Sequence, residues 1–210
     1  MTIWNNIYKN YQKGGEAWAT LNEGLIPRFI EFVEKNVFTE RKAFDIGCGT
    51  GKYIIYLQKI GFETIGIDSS ETAVIITKEK TKNNNIECVN MFEYEISEKT
   101  YDFIFSISTI HHGLKNDVKA LVDKIHSALL PDGKVFITLP DFESNKHWNT
   151  FKDNKELAPG TYAPLSGPEK GLAHSFYTEE EIKSLFSKFT NVLMELDEIG
   201  RWIITAKKSL

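Results

Sequence analysis

The chain of 210 residues is long enough for one domain with a substantial core. Its formal charge of −4, with no long block of Lys and Arg, argues against a nucleic-acid partner, and no apolar run reaches membrane-spanning length. Cys48 and Cys88 lack metal-type spacing and read as reduced thiols, and the N-terminus has no signal-peptide apolar core, so a cytoplasmic location is expected.

Residues 1–24 mix aromatic and polar side chains (Trp4, Tyr8, Tyr11, Trp18) around Gly14-Gly15. The stretch "LIPRFIEFVEKN" brings Leu25, Ile26, Phe29, Phe32 and Val33 close to helical spacing. An alternation of strands and helices follows. "KAFDIG" reads as a strand, "KYIIYLQKIG" as a helix stopped by Gly61, and "ETIGID" as a strand. "SETAVIITKEKTKN" is a helix that Ser69 or Ser70 can cap, and "IECVN" is a strand. "YDFIFSIST" is an apolar strand of the buried type; "DVKALVDKIHSALL" is an amphipathic helix ended by Pro131-Asp132-Gly133, and "KVFITLP" is another buried strand. This rhythm predicts a doubly wound α/β fold, a mostly parallel sheet with helices on both faces.

The rhythm breaks over residues 140–176, which carry three prolines after Pro140, three glycines and scattered aromatics. So long a stretch predicts an inserted lid, with residues 1–24 as an N-terminal cover, on a single domain spanning 1–210. Regularity returns with "TEEEIKSLFSKF", where Thr178 and Glu181 have capping-box spacing, and a closing pair of strands is expected around Gly200.

The stretch "FDIGCGTGKY" places Gly47, Gly49 and Gly51 directly behind a strand. It is not a phosphate-binding P-loop, because Tyr53 stands where Ser or Thr should hold the metal and Gly47 is one residue too near. A dinucleotide site needs G-x-G-x-x-G, and here the third glycine comes one residue early. The third pattern is G-x-G-x-G, "GCGTG" as it stands. With Asp45 before it and "GIDSS" after it, the chain resembles class I S-adenosylmethionine-dependent methyltransferases of the small-molecule type.

That resemblance covers roughly residues 40–140 and, more loosely, the rest of the chain. It implies a seven-stranded sheet whose last strand is antiparallel. It also implies S-adenosylmethionine as cofactor and S-adenosylhomocysteine as product. Asp45, Gly47, Cys48 and Gly49 would approach the methionine half of the cofactor. Asp68, about 20 residues beyond the loop, would accept both ribose hydroxyls with Ser69 beside it, although the same region also serves as a helix N-cap. After the third strand, Asn90 stands where an acid is commoner, with Met91 and Phe92 to flank the adenine. Ser108 falls at the carboxyl end of the fourth strand, and Tyr11 and Trp18 are candidate aromatic contacts to the sulfonium.

For the acceptor, "STIHHG" offers His111 and His112, either of which could act as a general base or simply pack and cap the next helix. "GLAHSFYTEEE" resembles a stretch that many small-molecule methyltransferases carry before their last long helix, which makes His174 and Tyr177 polar candidates toward substrate; His147 and Tyr162 lie in the same cover. The expected activity is methyl transfer to a small molecule by a monomer or homodimer. An RNA or protein methyltransferase and a non-catalytic cofactor-binding protein are the alternatives. No metal is expected.

Overall fold

The computed structural model describes residues 2–13, 24–147 and 153–209, and Trp18 lies outside them. The elements in chain order are α1 (Ile3–Gln12), α2 (Pro27–Lys35), β1 (Lys42–Ile46), α3 (Lys52–Lys59), β2 (Glu63–Asp68), α4 (Glu71–Thr81), β3 (Ile86–Cys88) and β4 (Tyr101–Ser106). They continue with α5 (Lys115–Ala128), β5 (Leu129–Pro140), α6 (Phe142–His147), β6 (Asn154–Ala158), β7 (Thr161–Pro164), β8 (His174–Ser175), α7 (Glu179–Leu185), β9 (Thr190–Leu196) and β10 (Arg201–Lys207).

The main sheet has the order β3-β2-β1-β4-β5-β10-β9. β10 runs antiparallel to both β5 and β9, and the β1–β2, β1–β4, β2–β3 and β4–β5 pairs are parallel. This is the doubly wound seven-stranded sheet with an antiparallel last strand. Strand order reverses between β1 and β4, so their carboxyl ends open a crevice where α/β sheets bind ligands. Every residue of β4 is buried, as a central parallel strand requires.

Each face of the sheet has its own core. On one, Phe29 of α2 is fully buried among the rings of Tyr53, Phe103, Phe105 and Phe136, at centroid distances of 4.7–5.7 Å. On the other, Leu121, Val122 and Ile125 of α5 meet Ile182 and Phe186 from the α7 region. Burying each such side chain stabilises the fold by about 1.5–3 kcal/mol.

Local signals hold in detail. Ser70, rather than Ser69, caps α4, with its hydroxyl accepting the Ala73 amide at 3.2 Å. Thr178 and Glu181 form the reciprocal capping box of α7. Three boundaries differ from expectation. α5 ends at Ala128, not at Pro131: a residue before proline avoids the helical region, and Leu129 instead joins β5 opposite Tyr101. The third strand is only three residues long. The N-terminal segment contains the ten-residue helix α1, and the stretch after Pro140 contains α6 and a separate sheet of order β6-β7-β8.

Candidate active site

The glycine loop is built around β2. The amides of Gly47 and Cys48 both donate to the Ile67 carbonyl, at 2.8 and 2.9 Å, and the Thr77 hydroxyl donates to the Gly49 carbonyl at 2.7 Å. Two positions require glycine. Gly47 has φ +83, and a Cβ there would run into the Thr109 side chain. Gly49 has φ +55, and a Cβ would lie 2.7 Å from the Tyr8 hydroxyl.

Asp68 ties this loop to the next helix. One carboxylate oxygen accepts the Gly49 amide at 3.0 Å and the other accepts the Ser70 amide at 2.8 Å. Burial pushes its carboxyl up to about 6 against the pull of those two amides. Burial, reinforced by the charge of Asp68, also raises Asp45 well above the usual carboxylate range. Neither acid is ion-paired among the described residues. Two buried carboxyls beside an open glycine turn suit a ligand that brings positive charge and hydroxyl donors.

Both acids, with Gly47, Cys48, Gly49 and Ser69, line a cavity of about 780 Å³ that also takes in Asn90, Met91, Phe92 and Ser108. Asn90 closes its own turn, its side-chain oxygen accepting the Phe92 amide at 3.1 Å. Ser108 adopts φ +53, unusual for a residue with a side chain, and its hydroxyl accepts from Arg201 at 3.0 Å while its amide donates to Thr138 at 2.7 Å. α1 lies across the cavity with Trp4, Ile7 and Tyr8 on its wall. Tyr11, one helical turn further on, is not on that wall. Asn5, which the sequence did not single out, docks α1: its side-chain oxygen accepts from the Ser70 hydroxyl at 3.1 Å and from the Thr72 amide at 2.9 Å.

The far end of the cavity is a histidine cluster. His111 and His112 follow β4, with ring centroids 3.9 Å apart, and His174 of β8 lies 4.8 Å from His112. β8 is pinned there because the Ser175 amide donates to the His111 carbonyl at 2.9 Å and the Ser175 hydroxyl to the Gly113 carbonyl at 2.7 Å. Trp4 packs edge-on against His112, at 4.7 Å. Burial, then the neighbouring His174, lowers His112 to about 3; burial, then His112, lowers His111 well below its usual range. Both stand as neutral rings at physiological pH. Glu169, not anticipated from the sequence, lies 3.1 Å from His174 Nε2. Tyr177 belongs to the core at 2% exposure and does not line the cavity. Tyr162 does line it, and the side chain of His147 lies outside the described structure.

A methyltransferase domain family matches residues 18–190. The chain belongs to this family. With the loop geometry, membership makes S-adenosylmethionine the cofactor of this fold. Among curated relatives, the ribosomal protein L11 methyltransferase of Cupriavidus metallidurans is 26% identical over 125 residues, which are 59% of this chain and 40% of that protein. The demethylmenaquinone methyltransferase of Staphylococcus saprophyticus is 34% identical over 110 residues, 49% of this chain and 46% of that protein. The chain thus spans less than half the length of these two relatives. A solved protein of Pyrococcus horikoshii OT3 superposes with a TM-score of 0.75 over 100% of both chains at 18% identity, a likeness of fold. No helix among the described residues of this methyltransferase-family chain is long and apolar enough to cross a membrane.

Proposed function

We propose that the protein transfers a methyl group from S-adenosylmethionine to a small-molecule acceptor held between Trp4, His112 and His174. When bound, the cofactor supplies a methyl group already activated by its sulfonium charge, and the protein's task is to align the acceptor and exclude water. Gly47 and Gly49 would let the methionine half approach the backbone. Asp68 would accept the ribose hydroxyls through lone pairs left by the Gly49 and Ser70 amides. Met91 and Phe92 would flank the adenine.

One observation carries the small-molecule reading. The cavity runs from the glycine loop to the histidine cluster, and its acceptor end is walled by the chain's own α1 and β6–β8 sheet. Such a walled end suits a compact acceptor better than the side chain of a folded macromolecule. The charge of −4 supports the same choice over RNA. A protein acceptor is the second reading, because one relative is named as a methyltransferase of a ribosomal protein. The small-molecule reading also takes the protein to act in the cytoplasm, as a monomer or homodimer.

The test is incubation with methyl-labelled cofactor and a cell extract split by size. Label in the low-mass fraction supports the proposal. Label confined to protein or RNA overturns it in favour of a macromolecular acceptor.

A further inference from the structure

The histidine cluster contains more than acceptor contacts require. His111, His112 and His174 each offer a ring nitrogen, and these atoms lie within 4.8 Å of one another. Side-chain rotation can close that span to the roughly 3.4 Å between ligands of a tetrahedral zinc ion bound at ~2.1 Å. Two of the rings already make the hydrogen bond to a carbonyl that metal-bound imidazoles usually make with their other nitrogen. His112 Nδ1 lies 2.9 Å from the Thr109 carbonyl and His174 Nδ1 lies 2.9 Å from the Leu172 carbonyl, contacts that require an N–H at both atoms. That hydrogen bond leaves Nε2 as the nitrogen that can turn a lone pair to a metal, as when the other nitrogen of a metal-bound imidazole donates to a carbonyl.

Glu169 makes the deficit specific. His174 Nε2 lies 3.1 Å from one Glu169 oxygen. With Nδ1–H donated to Leu172, the contact between Nε2 and Glu169 needs a second proton or a cation between the two atoms. The other Glu169 oxygen and His111 Nδ1 are both buried without a hydrogen-bond partner. Buried polar atoms without partners are costly and signal a missing one. The imidazole-rich donor set suits zinc and its first-row neighbours better than magnesium or calcium.

We propose that His111, His112 and His174, with Glu169 beside His174, form a binding site for one divalent first-row transition-metal ion at the acceptor end of the cavity. The site is a property of this chain alone, while its use rests on the methyl-transfer reading. There the ion would hold an acceptor carrying an oxygen, nitrogen or sulfur lone pair and favour its deprotonated form.

The test uses the full chain, stripped with a chelator and dialysed. Zinc alone is titrated by calorimetry, and cobalt alone by visible absorption. One equivalent should bind, with cobalt giving the absorption of a four- or five-coordinate nitrogen and oxygen site and zinc displacing it. His174→Gln and Glu169→Gln should each weaken zinc binding at least ~10-fold, while circular dichroism and the urea midpoint of the same samples confirm that the variants are folded. Absence of stoichiometric zinc and cobalt binding, or equal affinity in the wild type and both variants, overturns the site. Zinc binding without any affinity for S-adenosylhomocysteine would sustain the site and sink the methyl-transfer reading.

Discussion

Asp68 shapes the fold at the place proposed for the cofactor ribose. Its two oxygens hold the Gly49 and Ser70 amides, so it sets the loop and starts α4 before any ligand arrives. Its carboxyl stands near 6, raised by burial. Around it are Asp45, the Cys48 thiol and the Tyr8 hydroxyl, all pushed upward by burial and neutral across the relevant range or, for Asp45, raised in the same direction. Ribose hydroxyls donating to Asp68 favour its ionised form, so binding lowers its pKa and releases a proton. Affinity for S-adenosylhomocysteine should therefore rise as pH increases through about 6 and level off above it. Calorimetry from acid to neutral pH reads this directly. Asp68→Asn should remove the step near 6 and weaken binding by about 1–3 kcal/mol. A variant that binds with unchanged affinity would take Asp68 out of the site.

At the scale of elements, α1 is the piece that turns an open crevice into a walled cavity. Its attachment is polar and local. Asn5 accepts from Ser70 and Thr72, and the Thr2 hydroxyl donates to the Ser69 carbonyl at 3.2 Å. These contacts fall on the cap and first turn of α4, one to four residues beyond the acid that holds the glycine loop, so the helix and the loop share one anchor. Asn5→Ala leaves the buried Thr72 amide without its acceptor, at a cost of about 1–3 kcal/mol. The expected result is faster proteolysis within residues 2–13 and weaker S-adenosylhomocysteine binding, with the urea midpoint of the sheet core changing little. Proteolysis and binding that match the wild type would show that α1 does not depend on Asn5. The β6–β8 sheet is attached differently, through Ser175 to the carbonyls of the loop after β4, and so brings its histidine to the acceptor end.

For the whole molecule, the cavity joins segments far apart in the chain, from Trp4 to Arg201. A ligand filling it stabilises only the folded state. At a concentration 100 times its dissociation constant, S-adenosylhomocysteine should add about 2.7 kcal/mol and raise the melting temperature by roughly 5–10 °C for a chain of this size. Differential scanning calorimetry with S-adenosylhomocysteine and with NAD separates the two glycine-loop chemistries. A rise with NAD and none with S-adenosylhomocysteine would overturn the assignment of the loop.

Features that depend on neighbours along the chain were legible in the order of the amino acids. Short apolar runs marked the strands, and helical spacing marked the helices. The capping box at Thr178 and the glycine turn ahead of α3 were legible because their chemistry is contained in a few consecutive residues. The fold followed from the order of those elements. Features that depend on distant partners emerged with the folded chain. Tyr8 faces the cavity and Tyr11 does not, because Asn5 fixes the rotation of α1 against residues more than sixty positions away. Tyr177 reads as a polar candidate in the chain but turns into the core, since the apolar face of α7 packs on α5 beside it. Glu169 carried no signal at all: an acid in a turn is ordinary until β8 pairs with β7 and His174 comes within 3.1 Å of it. Side chains that meet across a cavity are brought together by sheet order and strand pairing, and no local pattern records that meeting.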